Sequence, residues 1–486
     1  MKKISEIVSF ELPEQMRNLE VSDICNDSRK AVPKSLFVAI EGKLDSGKKY
    51  INDAIANGAK YVVLGGEKNH ALLENGVMFL HVADPRAELS HLASRFFPGD
   101  LGDVVAVTGT NGKTSTVDMV RQIWAKNGYE AASLGTLGVI TAGGCEKLCD
   151  NMTSPDPICL HKFLQKLSKK CVANIALEAS SHGIYQRRLD NIDFRVCAFT
   201  NLSQDHLDYH GTLENYWLAK ERLFSEIAGP NAVFVVNADD VYAKKIQEIA
   251  AARKIKCISY GYRSNDVKII SVAAQDDHLK IKSLFLGREL GFSLPLYGAF
   301  QAHNSLCAAI MCHVTGISVD NVVQALEQLK PIDGRLELVR EINGIKIFLD
   351  YAHTPDALQN AILAVRSHTK NRVIVVFGCG GNRDQQKRQL MGEIAEQFSD
   401  LVFVTDDNPR NENPAEIRRM IMEGFRTPKG LDVSGGRRDA IEIALDAAMP
   451  GDSVLVAGKG HETHQQLAHD VIYFSDRAVI LNKVFK

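Results

Sequence analysis

Between Val104 and Lys126 the chain passes from an apolar run, Val104-Val105-Ala106-Val107, through Thr108-Gly109-Thr110-Asn111-Gly112-Lys113-Thr114-Ser115. It then enters a segment where Val117, Val120 and Trp124 recur at helical spacing. An apolar, mostly β-branched run, a glycine-bearing turn and a 3.6-residue period predict a buried parallel strand, a tight loop and a helix. That succession aims backbone N–H groups and a helix N-terminus at an anion. Lys113 adds a point charge for the outer phosphates, and the hydroxyl of Thr114 or Ser115 offers an oxygen to magnesium. A full phosphate loop has glycine where Val107 stands, so this is a shortened variant, which speaks against an ordinary GTPase or motor ATPase. The alternative is a plain Gly/Asn turn with a surface lysine; the flanking strand and helix favour the nucleotide.

A length of 486 residues suggests about three domains of roughly 150 residues each. Apolar residues make up 45% and charged residues 24%, the proportions of an ordinary soluble globular protein. The net charge of −2 gives no electrostatic case for a nucleic-acid partner or an anionic membrane. No apolar run approaches the ~20 residues of a membrane span, and Met1-Lys2-Lys3-Ile4-Ser5-Glu6 lacks the apolar core of a signal peptide. Ten cysteines are scattered along the chain, often in apolar segments such as Val196-Cys197-Ala198, as expected for reduced thiols of a cytoplasmic protein. Cys145 and Cys149 share a glycine-bearing loop, but without a second pair they do not make a zinc site.

Residues 1–98 read as a small α/β unit, with strands at Ser35–Ile40 and Tyr61–Leu64 and a helix from Tyr50 to Asn57. Its Asn26-Asp27-Ser28-Arg29 cluster reads, taken alone, as a turn or helix cap, and Pro98-Gly99-Asp100 closes the unit. Residues 99–332 open with the phosphate loop and alternate strands with helices, which implies a mostly parallel sheet with helices on its faces. Ligands on such sheets bind beyond the carboxyl ends of the strands, so polar residues just after apolar runs carry the information. Ile175-Ala176-Leu177 leads into Glu178-Ala179-Ser180-Ser181-His182, and Val196–Phe199 into Thr200-Asn201-Leu202-Ser203-Gln204-Asp205-His206, followed by Asp208, Tyr209, His210 and Lys220. A carboxylate and a histidine at strand ends beside a phosphate loop suit magnesium–ATP chemistry. A zinc site of Asp205, His206 and His210 is the rival reading, and Lys220 taken alone is a solvated helix-face residue. Gln301, His303 and Asn304 either cap the apolar helix they precede or hydrogen-bond an adenine.

Residues 333–486 repeat the pattern. Four apolar strands end in Asp350-Tyr351-Ala352-His353, in Gly378-Cys379-Gly380-Gly381-Asn382-Arg383-Asp384, in Thr405-Asp406-Asp407-Asn408-Pro409-Arg410 and in Gly458-Lys459-Gly460-His461-Glu462. This predicts a second, Rossmann-like open α/β sheet with a polar crest. The Gly378 loop lacks the dinucleotide fingerprint G-x-G-x-x-G.

The set TGTNGKT, EASSHG, TNLSQDHLDYHG, DYAHTPDAL, FGCGGNRD, DDNPR and AGKGHE resembles the Mur ligases, from Asp27 to about Asp476. The resemblance implies three α/β domains: residues 1–98 for the UDP group, 99–332 for ATP and 333–486 for the incoming amino acid. It implies a monomeric, ATP-dependent amide ligase of cytoplasmic peptidoglycan precursor synthesis, which joins meso-diaminopimelate to a UDP-N-acetylmuramoyl dipeptide. Gly109, Thr110, Asn111, Gly112, Lys113, Thr114 and Ser115 would then hold the ATP phosphates. Thr114 and Glu178 would bind one Mg²⁺; His206 and Lys220, the latter as a carbamate, would serve a second. Asn304 matches an adenine contact, and Arg335, Asp350 and His353 match groups closing over the nucleotide. The catalytic set so implied is Lys113, Glu178, His206, Lys220, Asp350 and His353.

The UDP-sugar-peptide would lie against Ser28, Thr153, Ser154, Ser180, Gln186 and Arg188. In this chain Ser154 replaces the second threonine of the usual T-T-P-D and keeps its hydroxyl. Asp407-Asn408-Pro409-Arg410 would set amino-acid specificity. Arg410 would grip the far carboxylate of diaminopimelate, a group lysine lacks, and Arg383, Gly458 and Glu462 would supply further contacts, Glu462 to an ammonium. A lysine-adding relative, a folylpolyglutamate synthetase-like ligase and a nucleotide-binding scaffold without catalysis are the alternatives; Arg410 argues against the first two, and intact Lys113, Glu178, His206 and Lys220 against the third.

Overall fold

The computed structural model describes residues 1–42, 45–149 and 152–484. It divides into two compact units, one of Met1–Thr108, Gly128–Cys197 and Ala219–Ala232, the other of Gly109–Asn127, Ala198–Leu218 and Val233–Lys486. Both are mixed α/β with mostly parallel sheets, the fold class expected from the strand–helix alternation.

In the first unit a five-stranded sheet runs in the order Ile24–Cys25, Leu36–Val38, Tyr61–Gly65, Val77–Val82, His70–Glu74. All its pairings are parallel except the last. That last pair is a hairpin turned at Asn75-Gly76, both with positive φ (50° and 76°), as a tight two-residue turn requires. Helix Pro85–Phe96 starts at Asp84, whose carboxylate accepts from the amides of Arg86 and Ala87. Its Leu89, Leu92 and Ala93 pack with Leu36, Val38, Val63 and Leu80 of the sheet and with Ile158 of helix Pro157–Lys169.

A second set of strands in this unit contains Ala131–Gly135, Asn174–Glu178 and Val104–Thr108, paired in parallel. Every residue of Val104–Thr108 and of Asn174–Glu178 is buried, which is why both read as unbroken apolar runs. One expectation is corrected here. Cys149 and Cys159 form a disulfide, with Cα atoms 6.2 Å apart, while the other eight cysteines are thiols. The reason is tertiary: helix Pro157–Lys169 brings Cys159 back beside the loop that carries Cys149, a closure that scattered cysteine spacing does not announce.

In the second unit, helix Lys113–Lys126 packs on helix Gln301–Val314. Strands Val233–Asn237, Lys256–Gly261 and Val267–Ala274 pair in parallel. They are extended by an antiparallel meander of Leu279–Phe285 and Arg288–Leu294. A six-stranded sheet follows in the order Glu337–Ile342, Ile345–Asp350, Ser453–Ala457, Val373–Phe377, Leu401–Val404, Gly430–Asp432, parallel except for its first pair. It is covered on both faces. Val373, Val375 and Phe377 enter a core with Leu358, Ile362 and Met391, whereas Ile374 and Val376 enter another with Ile441, Leu445 and Ile480. Successive side chains of a strand point to opposite faces, so an all-apolar sequence serves two cores. At one end of this sheet Arg437 and Asp476, both fully buried, make a bidentate pair at 2.8 and 2.7 Å. No helix among the described residues is long and apolar enough to cross a membrane.

Candidate functional site

The phosphate loop closes on itself. Lys113 Nζ donates to the carbonyls of Gly109 (2.9 Å) and Thr110 (2.8 Å). Gly109 and Gly112 have φ of 148° and 88°; a side chain at Gly109 would collide with Thr200 Oγ1, and one at Gly112 would come 2.5 Å from Asn304 Oδ1. These two positions accept only glycine, whereas Val107 belongs to the strand and needs none. The loop is braced by the segment after strand Val196–Phe199. Thr110 N donates to Asn201 O at 2.8 Å, Asn111 N to Asn201 Oδ1 at 2.9 Å, and Thr200 Oγ1 to Asn111 O at 2.6 Å. Asn304, buried, lies against Gly112 and donates to Gln301 Oε1 at 2.9 Å, while His303 pairs with Asp239 at 2.8 Å.

Groups from the six-stranded sheet reach this loop within the same unit. Arg335 Nη2 donates to Thr114 Oγ1 at 2.9 Å, and its guanidinium lies 4.5 Å from the Tyr351 ring centroid. Its buried Nε has no hydrogen-bond partner among the described residues. The next residue, Leu336, holds φ 46°, a costly conformation for a branched side chain. Leu336 N and Ala352 N donate to the two oxygens of Asp350 at 2.5 and 2.7 Å. Burial pushes the Asp350 carboxyl up to about 6, against the pull of the Arg335 charge and of these amides. Asn111 Nδ2 also donates to Asp356 Oδ2 at 2.8 Å.

Asp205 ties two predicted residues together. Its Oδ2 lies 3.4 Å from His206 Nε2 and 3.9 Å from His353 Nε2. Lys387 Nζ donates to His353 O at 2.8 Å. Burial alone would raise the Asp205 carboxyl, but the charges of His206, His353 and Lys387 outweigh it and hold it well below the usual range. From the sequence, Asp205 stands in the polar run after strand Val196–Phe199 and in the rival zinc set, with no role of its own, and Lys387 carries no assignment. Among the described residues no group of three or more His, Cys, Asp or Glu side chains could hold a metal, so Asp205, His206 and His210 do not assemble the zinc alternative.

On the crest, Asn408 Nδ2 donates to Glu462 Oε2 at 2.9 Å, and Lys459 Nζ bridges Glu462 Oε2 (2.7 Å) and Asn408 Oδ1 (3.0 Å). Burial would raise the Glu462 carboxyl, but buried Lys459, which the sequence placed in the crest segment without a role, and the Asn408 bond outweigh it and hold Glu462 below its ordinary value. Both contacts fall on Oε2 of Glu462. Arg410, at φ 51°, is held by neutral oxygens: Nη1 donates to Gly381 O at 2.8 Å and Nε to Gln466 Oε1 at 3.2 Å. Burial and the like charge of Arg383 lower its pKa. Arg383 itself donates to Asn382 O at 3.2 Å. Asp407 accepts from Asn408 N at 2.7 Å; a Cβ at Gly458 would come 2.8 Å from its other oxygen.

The first unit gathers a different set. Glu178, 3% exposed, accepts from Thr136 N at 2.8 Å and Thr136 Oγ1 at 3.1 Å. Thr136 Oγ1 lies 3.1 Å from Thr153 Oγ1. Ser154 Oγ donates to Glu178 O at 2.8 Å and accepts from Ser180 N and Ser180 Oγ, both at 3.0 Å. Arg188 donates to Ser154 O at 2.7 Å and Gln186 Oε1 at 2.8 Å. Thr136 was missed, although it follows the strand Ala131–Gly135 and obeys the same strand-end rule. Ser28 sits elsewhere in this unit, starting a 3-10 turn capped by Asp27, with its carbonyl accepting from Asn57. Lys220 is 1% exposed, which corrects the solvated-face reading: the helix Leu213–Arg222 turns this position inward.

Three family models match the chain in succession: "Mur ligase family, catalytic domain" at residues 20–97, "Mur ligase middle domain" at 107–312 and "Mur ligase, glutamate ligase domain" at 334–460. A UDP-N-acetylmuramoyl-L-alanyl-D-glutamate--2,6-diaminopimelate ligase from Chelativorans sp. (strain BNC1) is 42% identical over 457 residues, 94% of this chain and 93% of the relative. A solved structure of a ligase with the same name is similar at TM-score 0.71 and 29% identity, over 99% of this chain and 98% of that one. A MurF ligase from Thermotoga maritima, solved in complex with ADP, shares the fold at TM-score 0.63 and 19% identity, over 92% of this chain and 96% of that one.

Proposed function

Because this chain belongs to the Mur ligase family, we propose that it is an ATP-dependent ligase adding meso-diaminopimelate to UDP-N-acetylmuramoyl-L-alanyl-D-glutamate. The observation that carries the reading is the convergence, within one compact unit, of the self-closed phosphate loop, the Arg335–Thr114 contact with its unsatisfied buried Nε, and an arginine-bearing crest at Arg410. We also assign residues 1–98 to the UDP group, 99–332 to ATP and 333–486 to the amino acid, in a cytoplasmic monomer.

A free carboxylate is a poor electrophile, so the D-glutamate carboxylate first attacks the γ-phosphorus of ATP, giving an acyl phosphate and ADP. The amine of diaminopimelate then attacks the activated carbonyl, phosphate leaves, and the amine gives up its proton. The loop Gly109–Ser115 binds the phosphates through N–H groups other than those of Thr110 and Asn111, which donate to Asn201, with Lys113 and Arg335 beside the charge that moves onto ADP. Asn304, against Gly112, orients the nucleotide. Asp350 fixes Leu336 and so the approach of Arg335, and Asp205 orients His206 and His353. Thr153, Ser154, Ser180, Gln186 and Arg188 form one hydrogen-bonded set for the sugar-peptide, with Ser28 toward the UDP end. Arg383, Asp407, Asn408, Pro409, Arg410, Gly458 and Glu462 receive the amino acid. A diaminopimelate carboxylate supplies Arg410 with the anionic partner its neutral contacts lack.

Magnesium fits the donor chemistry of these residues. The hydroxyl of Thr114 and the buried carboxylate of Glu178, fixed by Thr136, are hard oxygens, and Mg²⁺ is usually held by one or two carboxylates plus substrate phosphates. His206 and Lys220 are assigned to a second ion. Burial of Lys220 supports its being carried as a carbamate, which turns a cation that is costly to bury into an oxygen ligand. When bound, the metal neutralises phosphate charge.

The test is direct. With ATP, Mg²⁺ and UDP-N-acetylmuramoyl dipeptide, the protein offered diaminopimelate or lysine should yield a product heavier by one diaminopimelate residue, together with ADP and phosphate. Preferential lysine addition, or no product with either, overturns the reading.

A further inference from the structure

We propose that Cys149 and Cys159 are a thiol-oxidation site whose closure holds the sugar-peptide loop in its binding arrangement. This rests on the substrate assignment above. The two cysteines are joined across ten residues, with Cα atoms 6.2 Å apart, and between them lie Thr153, Ser154 and Asp156. Each of these three is wired to the candidate site or to the helix that carries Cys159. Thr153 Oγ1 meets Thr136 Oγ1, Ser154 bonds Glu178 and Ser180, and Asp156 caps helix Pro157–Lys169 by accepting from Cys159 N at 3.3 Å.

The pair is also built for exchange. Cys149 is exposed and open to an oxidant, whereas Cys159 is 3% exposed in the first turn of its helix and reaches only the Cys149 sulfur beside it. A low-molecular-weight disulfide of the glutathione type is the oxidant. The Cys149 thiolate attacks one of its sulfurs, forming a mixed disulfide and releasing one thiol. The Cys159 thiolate then attacks Cys149 Sγ, forming the Cys149–Cys159 bond and releasing the second thiol. The protein loses two protons and two electrons, and the oxidant gains them as two free thiols.

The cross-link removes conformations in which Thr153 and Ser154 have left Thr136, Glu178 and Ser180. Oxidised protein therefore has a KM for the UDP-linked dipeptide lower than reduced protein by about fivefold, the scale of pre-ordering one or two side chains. Turnover and the KM values for ATP and diaminopimelate stay unchanged.

The experiment equilibrates the full-length protein in glutathione buffers of graded reduced-to-oxidised ratio, maps disulfides by mass spectrometry of alkylated peptides, and measures the three KM values at each ratio. The expected result is a Cys149–Cys159 peptide appearing together with the fall in KM. Cys149→Ser, at the exposed position, should show the higher KM of thiol-form protein at every ratio, and Cys145→Ser/Cys171→Ser should keep the response. A map joining Cys149 to Cys145, or a Cys149–Cys159 bond that leaves every KM unmoved, overturns the proposal. Should the UDP-linked dipeptide not be a substrate at all, the substrate assignment fails, and the disulfide map still reports whether the pair forms.

Discussion

Lys113 is bound to its own loop, so its charge is positioned before any phosphate arrives. Lys113→Ala should lower turnover by roughly 10²-fold or more, the cost of deleting one preorganised electrostatic group; a phosphate-release assay giving near-normal rates would sink the role. Arg410→Ala should raise the KM for diaminopimelate by at least ~10-fold, as for a lost charge-assisted bond, while the KM for ATP holds; equal effects on both would refute the specificity claim. Asp350 carries a pH prediction. With its carboxyl pushed up to about 6 from 3.8, it is ionised at neutral pH and protonates as pH falls through 6, losing its attraction for Arg335. The kcat/KM for ATP should therefore show an acid limb near pH 6, absent from Asp350→Asn. Stability runs the other way. The folded state takes up this proton before the unfolded chain does, so the group's contribution is complete below pH 3.8 and is lost as pH rises through 6.

At the scale of elements, the Arg437–Asp476 pair joins the first turns of helices Arg437–Ala447 and Asp476–Asn482 with no exposure to water. Arg437→Met would leave a buried, unpaired carboxylate and should cost about 3–5 kcal/mol, read as a lower urea midpoint with unchanged slope. Nothing in the sequence joins Arg437 to Asp476, because their pairing exists only after the sheet has formed. The strands were legible for the opposite reason. Val373–Phe377, Leu401–Val404 and Ser453–Ala457 are buried on both faces, and that condition writes itself locally as an apolar run. Each of their polar ends reached the crest, as the strand-end rule said. The meander was equally readable and went unread: Leu279–Phe285 alternates buried and less buried positions throughout. Thr136, Lys387 and Lys459 went without a role because a threonine or lysine after a strand, or in the first turn of a helix as Lys387 is, is ordinary until its partner, here Glu178, His353 or Glu462, is known. The motif match named the residues proposed to face ligands, whereas the groups that hold them are defined by contacts across the fold.

For the molecule as a whole, nucleotide binding should register as stability. At ATP concentrations ~100 times its dissociation constant, linkage predicts about 2.7 kcal/mol, seen as a rise in the thermal midpoint. Arg335→Ala, which cuts the contact with Thr114, should lose most of that rise, and a full rise would detach Arg335 from the nucleotide. The six-stranded sheet, packed by helices on both faces, anchors its crest loops through Ala352 and Cys379 in one core, while Arg383, Asp407, Arg410 and Glu462 belong to neither. With the amino acid received there as proposed, exchanging a few rim side chains would alter the diet of diamino acids while the ground beneath them stays as it was.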